Sequence, residues 1–189
     1  PEEHIRALNE KPELLKSCGR PAIDTQVEIR DDDDNPLPIG EVGQICAKGP
    51  QIMKGYWNKD EESQKALKGG WMHTGDAGRM DEEGFVFIQD RIKDMIVSGG
   101  ENIYSTEVEA ALFAHPDVLD AAVIGIPDEK YGEVVKACIV KKEGSKISED
   151  DLINFCKDRI ASYKKPQSID FIDEVPRNAS GKVLKKVLR

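Results

Sequence analysis

Three short stretches combine charged or polar side chains with tight turns that could present them to a ligand. In His73-Thr74-Gly75-Asp76 a carboxylate follows a strand-like run and a glycine. A carboxylate can accept two hydrogen bonds from the vicinal hydroxyls of a ribose, as the acidic residue of dinucleotide folds does. The same residues also read as a plain Thr-Gly-Asp turn. The second candidate, Arg91, is a planar cation suited to a hydroxyl or phosphate, or simply to an ion pair with Asp90 or Asp94. The third, Pro176-Arg177-Asn178-Ala179-Ser180-Gly181-Lys182, displays a lysine after Ser-Gly. A point charge on a flexible stem fits an anionic reaction centre, and equally a solvated basic tail. Its glycine spacing and the residues before it are wrong for a Walker phosphate loop. Lys182, Lys185, Lys186 and Arg189 make this end locally basic enough to meet a phosphate.

Metal chemistry has no signature in the sequence. Cys18, Cys46, Cys138 and Cys156 form no CxxC pair and no histidine is spaced to complete a set, so no metal ligand is assigned. The cysteines read as buried or half-buried thiols of a reducing compartment, which makes the expected location cytoplasmic. His4, His73 and His115 are dispersed and read as structural. Trp57, Trp71 and Tyr56 are expected to pack the first half of the chain rather than stack on a ligand. A net charge of -9 over 189 residues argues against a general nucleic-acid or membrane-surface role. No apolar run reaches the ~18 residues of a membrane span, and the first residues of the chain show no signal-peptide pattern. The first residue is Pro1, so the chain is expected to be a piece of a longer protein.

The elements that must position these residues fall into two halves. Alternation at Val27 and Ile29, a run over Gln44–Lys48, Trp71–Thr74 turning at Gly75-Asp76, and Phe85–Ile88 predict short strands. Together they suggest a small barrel or curled sheet over residues 20–90, with a surface helix or loop at 2–9 and a short helix at 58–68. After residue 90 the character changes. Ile92 to Val97 and the Ser98-Gly99-Gly100 turn read as a hinge or as a hairpin with a charged face. Ser105 or Thr106 can cap a helix, with Glu109 completing a capping box from Thr106. Strands follow at 118–126 and 134–140, then a helix capped by Ser148 with Asp151 at the box position, then a strand at Ile169 and Phe171. The fold class is therefore α+β: a small β-barrel-like subdomain over 1–90, then a compact domain over 91–189 with a β-hairpin and a three-stranded sheet flanked by helices.

Taken in order, several motifs together are far more specific than any one. These are Gly40-Glu41-Val42-Gly43, Gly55-Tyr56-Trp57, Trp71-Met72-His73-Thr74-Gly75-Asp76, Asp90-Arg91-Ile92-Lys93-Asp94, Ser98-Gly99-Gly100-Glu101-Asn102-Ile103 and Ser180-Gly181-Lys182. The series resembles the adenylate-forming superfamily of acyl-CoA synthetases, luciferases and peptide-synthetase adenylation domains. It is most similar to ligases of fatty acids and related acids, which points to fatty acid metabolism.

The resemblance implies that residues 1–90 are the last subdomain of a large AMP-binding domain, and that 91–189 are its mobile C-terminal domain. Asp76 would bind the ribose hydroxyls of ATP, Arg91 the ribose or phosphate side, and Lys182 would be the catalytic lysine of adenylation. Lys93 would be the hinge, and Gly99 with Gly100 would let the pantetheine arm of CoA pass close to backbone. Val97 and Glu101 stand where some relatives carry a basic helper, so none is assigned. The cofactors implied are ATP, Mg²⁺ held by residues upstream of this chain, and CoA as co-substrate. The partners are a small carboxylic acid and the missing N-terminal domain, and the chain alone is expected to be inactive. An adenylation domain that acylates a carrier protein would use the same residues, and a non-catalytic binding module is the remaining alternative.

Overall fold

The computed structural model describes residues 2–189, which divide into two compact units, one ending at Lys93 and the other spanning Asp94–Arg189. The first opens with helix α1 (Glu2–Asn9) and a 3₁₀ turn, Pro12–Lys16, with proline at its first residue, where its missing N–H costs nothing. Its sheet is a meander of antiparallel strands in sequence order: β1 (Gln26–Arg30), β2 (Gly43–Lys48), β3 (Met72–Met80) and β4 (Val86–Arg91). Among the described residues the sheet stays open, so the curled sheet rather than a closed barrel is the observed form.

Period-2 patterning explains its two cores. Phe85 and Phe87 pack with Ala7 and Leu14, while the intervening Val86 packs on the opposite side with Ile29 and Ile45. Helix α2 (Asp60–Ala66) lies within the charged stretch expected to be helical. Two aromatic expectations fail here. Trp71 is buried under the Arg30 guanidinium, 4.4 Å from the ring centroid, but Trp57 is 90% exposed and Tyr56 is also exposed, because both lie in the loop before α2, off the sheet. Cys46, Cys138 and Cys156 are buried, but Cys18 is exposed, its thiol meeting the Val86 carbonyl at the surface.

In the second unit the hairpin β5 (Ile96–Ser98) and β6 (Glu101–Ile103) joins the long pair β7 (Val118–Asp128) and β8 (Gly132–Lys141), with β9 (Ser168–Phe171) parallel to β8. The hairpin and the expected three strands thus form one five-stranded sheet. Helices α3 (Ser105–Phe113) and α4 (Glu149–Lys157) cover it, burying Leu112 and Leu152 against Val123 and Ile139. Each such side chain removed from water contributes about 1.5–3 kcal/mol.

The cap of α4 is the expected box, Ser148 Oγ accepting from Asp151 N at 3.2 Å and Asp151 Oδ2 accepting from Ser148 N at 3.1 Å. The cap of α3 differs from expectation. Tyr104 is its N-cap, without a side-chain capping hydrogen bond, and Glu109 instead accepts from Val123 N at 2.9 Å and pairs with Lys185 at 2.9 Å. A half-buried carboxylate there holds the helix to β7 and to a terminal helix, α5 (Lys185–Leu188), that the sequence pattern did not reveal.

Candidate functional site

Asp76 and Arg91 are brought together by sheet register. The sequence suggested that β3 ends in a Thr-Gly-Asp turn, but the strand continues to Met80 and absorbs these residues in a bulge. Gln44 pairs with Ala77 and Cys46 with His73, so Thr74, Gly75 and Asp76 together face Ile45. The bulge requires a positive φ, and Gly75 supplies it at 75°. Thr74 Oγ1 pins it by donating to Ile45 O at 2.8 Å and accepting from Asp76 N at 3.1 Å.

Asp76 then stands directly opposite Arg91 on β4. Arg91 Nε lies 3.0 Å from Asp76 Oδ1, an ion pair without hydrogen-bond alignment. The partner of the arginine is therefore Asp76, across the sheet, rather than the neighbouring Asp90 or Asp94 suggested by sequence. The two side chains are 24% and 42% exposed, leaving an acceptor pair and a donor fork side by side at the surface. Lys93 follows in a single 3₁₀ turn, Ile92–Asp94, with its side chain exposed.

In the second unit Gly99 and Gly100 form the two-residue turn of the β5–β6 hairpin, both with positive φ. Gly99 N donates to Tyr131 O at 2.8 Å, and a Cβ on Gly99 would sit 3.3 Å from the Tyr131 ring, so any side chain would crowd this exposed turn.

Lys182 is exposed at the end of a tightly organised loop. Arg177 Nη2 donates to both oxygens of Asp120 on β7, at 3.0 and 2.8 Å, and Nη1 donates to Gly181 O at 3.0 Å. Asn178 Oδ1 accepts from Ser180 N, Ser180 Oγ and Lys182 N, while Asn178 N donates to Lys182 O. Beyond the loop, Val183 and Leu188 pack on Ala122, Val140 and Val175. Lys185 Nζ reaches Ser105 Oγ as well as Glu109. Main chain on both sides of Lys182 is thus fixed while its ammonium stays in solvent, so this segment is not the free basic tail that was one reading of it.

Sequence reasoning missed Arg177, Asp120 and Asn178. Asn178 carried a usable signal, because Asn two residues before Ser-Gly is a turn former that bonds backbone ahead of it. Arg177 and Asp120 lie 57 positions apart with nothing local to connect them. Also missed was a convergence in the first unit, where His73, read as partnerless, meets Gln44, Cys46 and Asp34.

Comparison with known proteins accounts for the order of these features. Residues 4–57 match the AMP-binding enzyme family and residues 107–182 the AMP-binding enzyme C-terminal domain. The chain is 45% identical to a feruloyl-CoA synthase of Amycolatopsis over 94% of its length and 36% of that protein. It is 44% identical to a long-chain-fatty-acid–CoA ligase of Escherichia coli over 92% of its length and 31% of that protein. Among solved structures, the o-succinylbenzoate CoA synthetase of Bacillus subtilis with its acyl-adenylate intermediate superposes at a TM-score of 0.88, with 38% identity over 98% of this chain and 37% of that one. The chain spans about a third of the length of the relatives it matches, and it belongs to the AMP-binding enzyme family.

Proposed function

We propose that this chain is the C-terminal part of an ATP-dependent acyl-CoA synthetase. In the first half-reaction a carboxylic acid attacks the α-phosphate of ATP, giving acyl-AMP and pyrophosphate; in the second, the thiol of CoA displaces AMP. The observation that carries this reading is the match, over more than nine-tenths of the chain, to relatives that are CoA synthetases and ligases.

On this reading the first unit is the last, β-rich subdomain of the AMP-binding domain, and the second is its mobile C-terminal domain, with Lys93 as hinge. Asp76 holds the ribose hydroxyls by accepting their hydrogen bonds, and Arg91 donates to the ribose or phosphate side. Adenylation brings a carboxylate against a phosphate, and the Lys182 ammonium offsets the repulsion as charge develops. Its solvated position on a fixed loop suits a group that loses water only when the substrate arrives. The Gly99-Gly100 turn lines the path of the pantetheine arm. Magnesium, which residues of the N-terminal domain would hold, would supply further charge neutralisation on the phosphates.

A panel of carboxylic acids offered to the complete protein with ATP and CoA tests this reading. Acid-dependent pyrophosphate release and a CoA thioester are expected for at least one acid class. Neither product with any acid would favour a binding module instead.

A further inference from the structure

The first unit holds a second polar cluster that the proposed reaction does not use. Asp34 from the turn after β1, Cys46 from β2 and His73 from β3 bring one carboxylate oxygen, one sulfur and one imidazole nitrogen within 4.8 Å of one another. His73 Nδ1 lies 2.7 Å from Gln44 Oε1 and 3.5 Å from Cys46 Sγ, and with the amide oxygen accepting, this nitrogen carries the proton. Nε2 is then the lone-pair nitrogen. It is buried, makes no hydrogen bond, and faces Asp34 Oδ1 at 3.5 Å. Two acceptors opposed in a buried place repel unless a cation lies between them.

The spacing suits such an ion. Two nitrogen or oxygen ligands bound at about 2.0–2.2 Å on one tetrahedral ion stand roughly 3.3–3.6 Å apart. Cys46 adds the soft donor that favours zinc over magnesium or calcium. Gln44 does what the outer partner of a metal-bound histidine does, fixing tautomer and ring orientation. Asp34 has φ 70°, a backbone state that a non-glycine residue rarely holds, and Arg30 fixes its turn by donating to Asp34 O at 2.9 Å. Arg30 also touches Oδ1 at 3.3 Å, so an ion shares this carboxylate with one cation already present.

We propose that Asp34, Cys46 and His73 form a site for one zinc-like divalent ion, with Gln44 orienting the imidazole and water in the fourth position. His73 and Gln44 also line a cavity of about 480 Å³, through which the ion and its water can reach solvent. The Cys46 thiol loses its proton to solvent as the metal–sulfur bond forms, so binding releases one proton.

The test is titration of the complete protein, stripped with chelator, with Co²⁺ and then Zn²⁺. The expected result is one equivalent of Co²⁺ with a thiolate-to-cobalt charge-transfer band, removed by Zn²⁺ and absent in Cys46→Ala. His73→Gln should weaken binding by about a hundredfold or more, and Gln44→Leu by roughly ten- to a hundredfold. Circular dichroism confirms that each variant is folded. Failure of the unaltered protein to bind stoichiometrically overturns the site regardless of the variants. A cobalt band that survives both Cys46→Ala and His73→Gln overturns it equally. Neither readout involves ligase activity, so loss of the site and loss of the ligase reading are separately visible.

Discussion

Arg177 fixes the loop that presents Lys182. Its Nη2 meets both Asp120 oxygens, and the bond from Nη1 to Gly181 O holds the peptide just before the lysine. It touches no reacting atom in the proposed chemistry, so it is a positioning residue. A misplacement of about 1 Å can cost roughly a hundredfold in rate. In the complete protein Arg177→Ala is expected to slow acyl-adenylate formation by about ten- to a hundredfold, with transfer from supplied acyl adenylate to CoA much less affected. Arg177→Lys, which keeps the charge but loses the planar fork, should recover only part of the rate. Equal slowing of both half-reactions would assign Arg177 to stability alone. Residue types were legible at this scale and partners were not. Asp76, Arg91 and Lys182 stood out for their chemistry, but the pairing of Asp76 with Arg91 depends on a bulge that no local pattern of His73–Asp76 announces. Glu109 was read as a cap because its spacing from Thr106 fits one, yet tertiary contact with Val123 and Lys185 decides its role.

At the scale of elements, α1 and the residues after it are fastened to the β3–β4 turn by one carboxylate. Glu83 accepts from Arg6 at 2.5 and 3.0 Å and from Lys11 at 2.5 Å, and Arg20 stands 3.6 Å away. The hydrogen bonds from Arg6 and Lys11 hold its carboxyl down from an ordinary 4.5 to about 2. A depressed carboxylate stabilises the fold fully above its unfolded pKa, and the contribution disappears as pH falls through the folded value. The first unit should therefore lose stability between about pH 4.5 and 2. Glu83→Gln is expected to lower the melting temperature at pH 7 and flatten its decline over that acid range. Parallel melting curves for the two proteins would show that the latch contributes nothing. Elements with strong local signals were legible, the Ser148 box and the alternation in β1 among them. Helix α5 was not, because four residues of a basic tail become helical only through docking of Leu188 and Lys185.

For the whole molecule, family membership was legible because it rests on the order of six motifs rather than on any contact. The Asp34, Cys46 and His73 cluster was not, since its members are 12 and 27 residues apart and meet only when β1, β2 and β3 align. The central claim is that this chain carries the charge that makes acyl adenylate, and Lys182→Ala in the complete protein tests it most directly. Both half-reactions are measured, acid-dependent exchange of labelled pyrophosphate into ATP and transfer from supplied acyl adenylate to CoA. Removing one stabilising donor from a developing charge typically costs about a hundred- to a thousandfold. The account predicts a loss of that size in exchange with transfer largely kept; equal losses in both, or none in exchange, would contradict it.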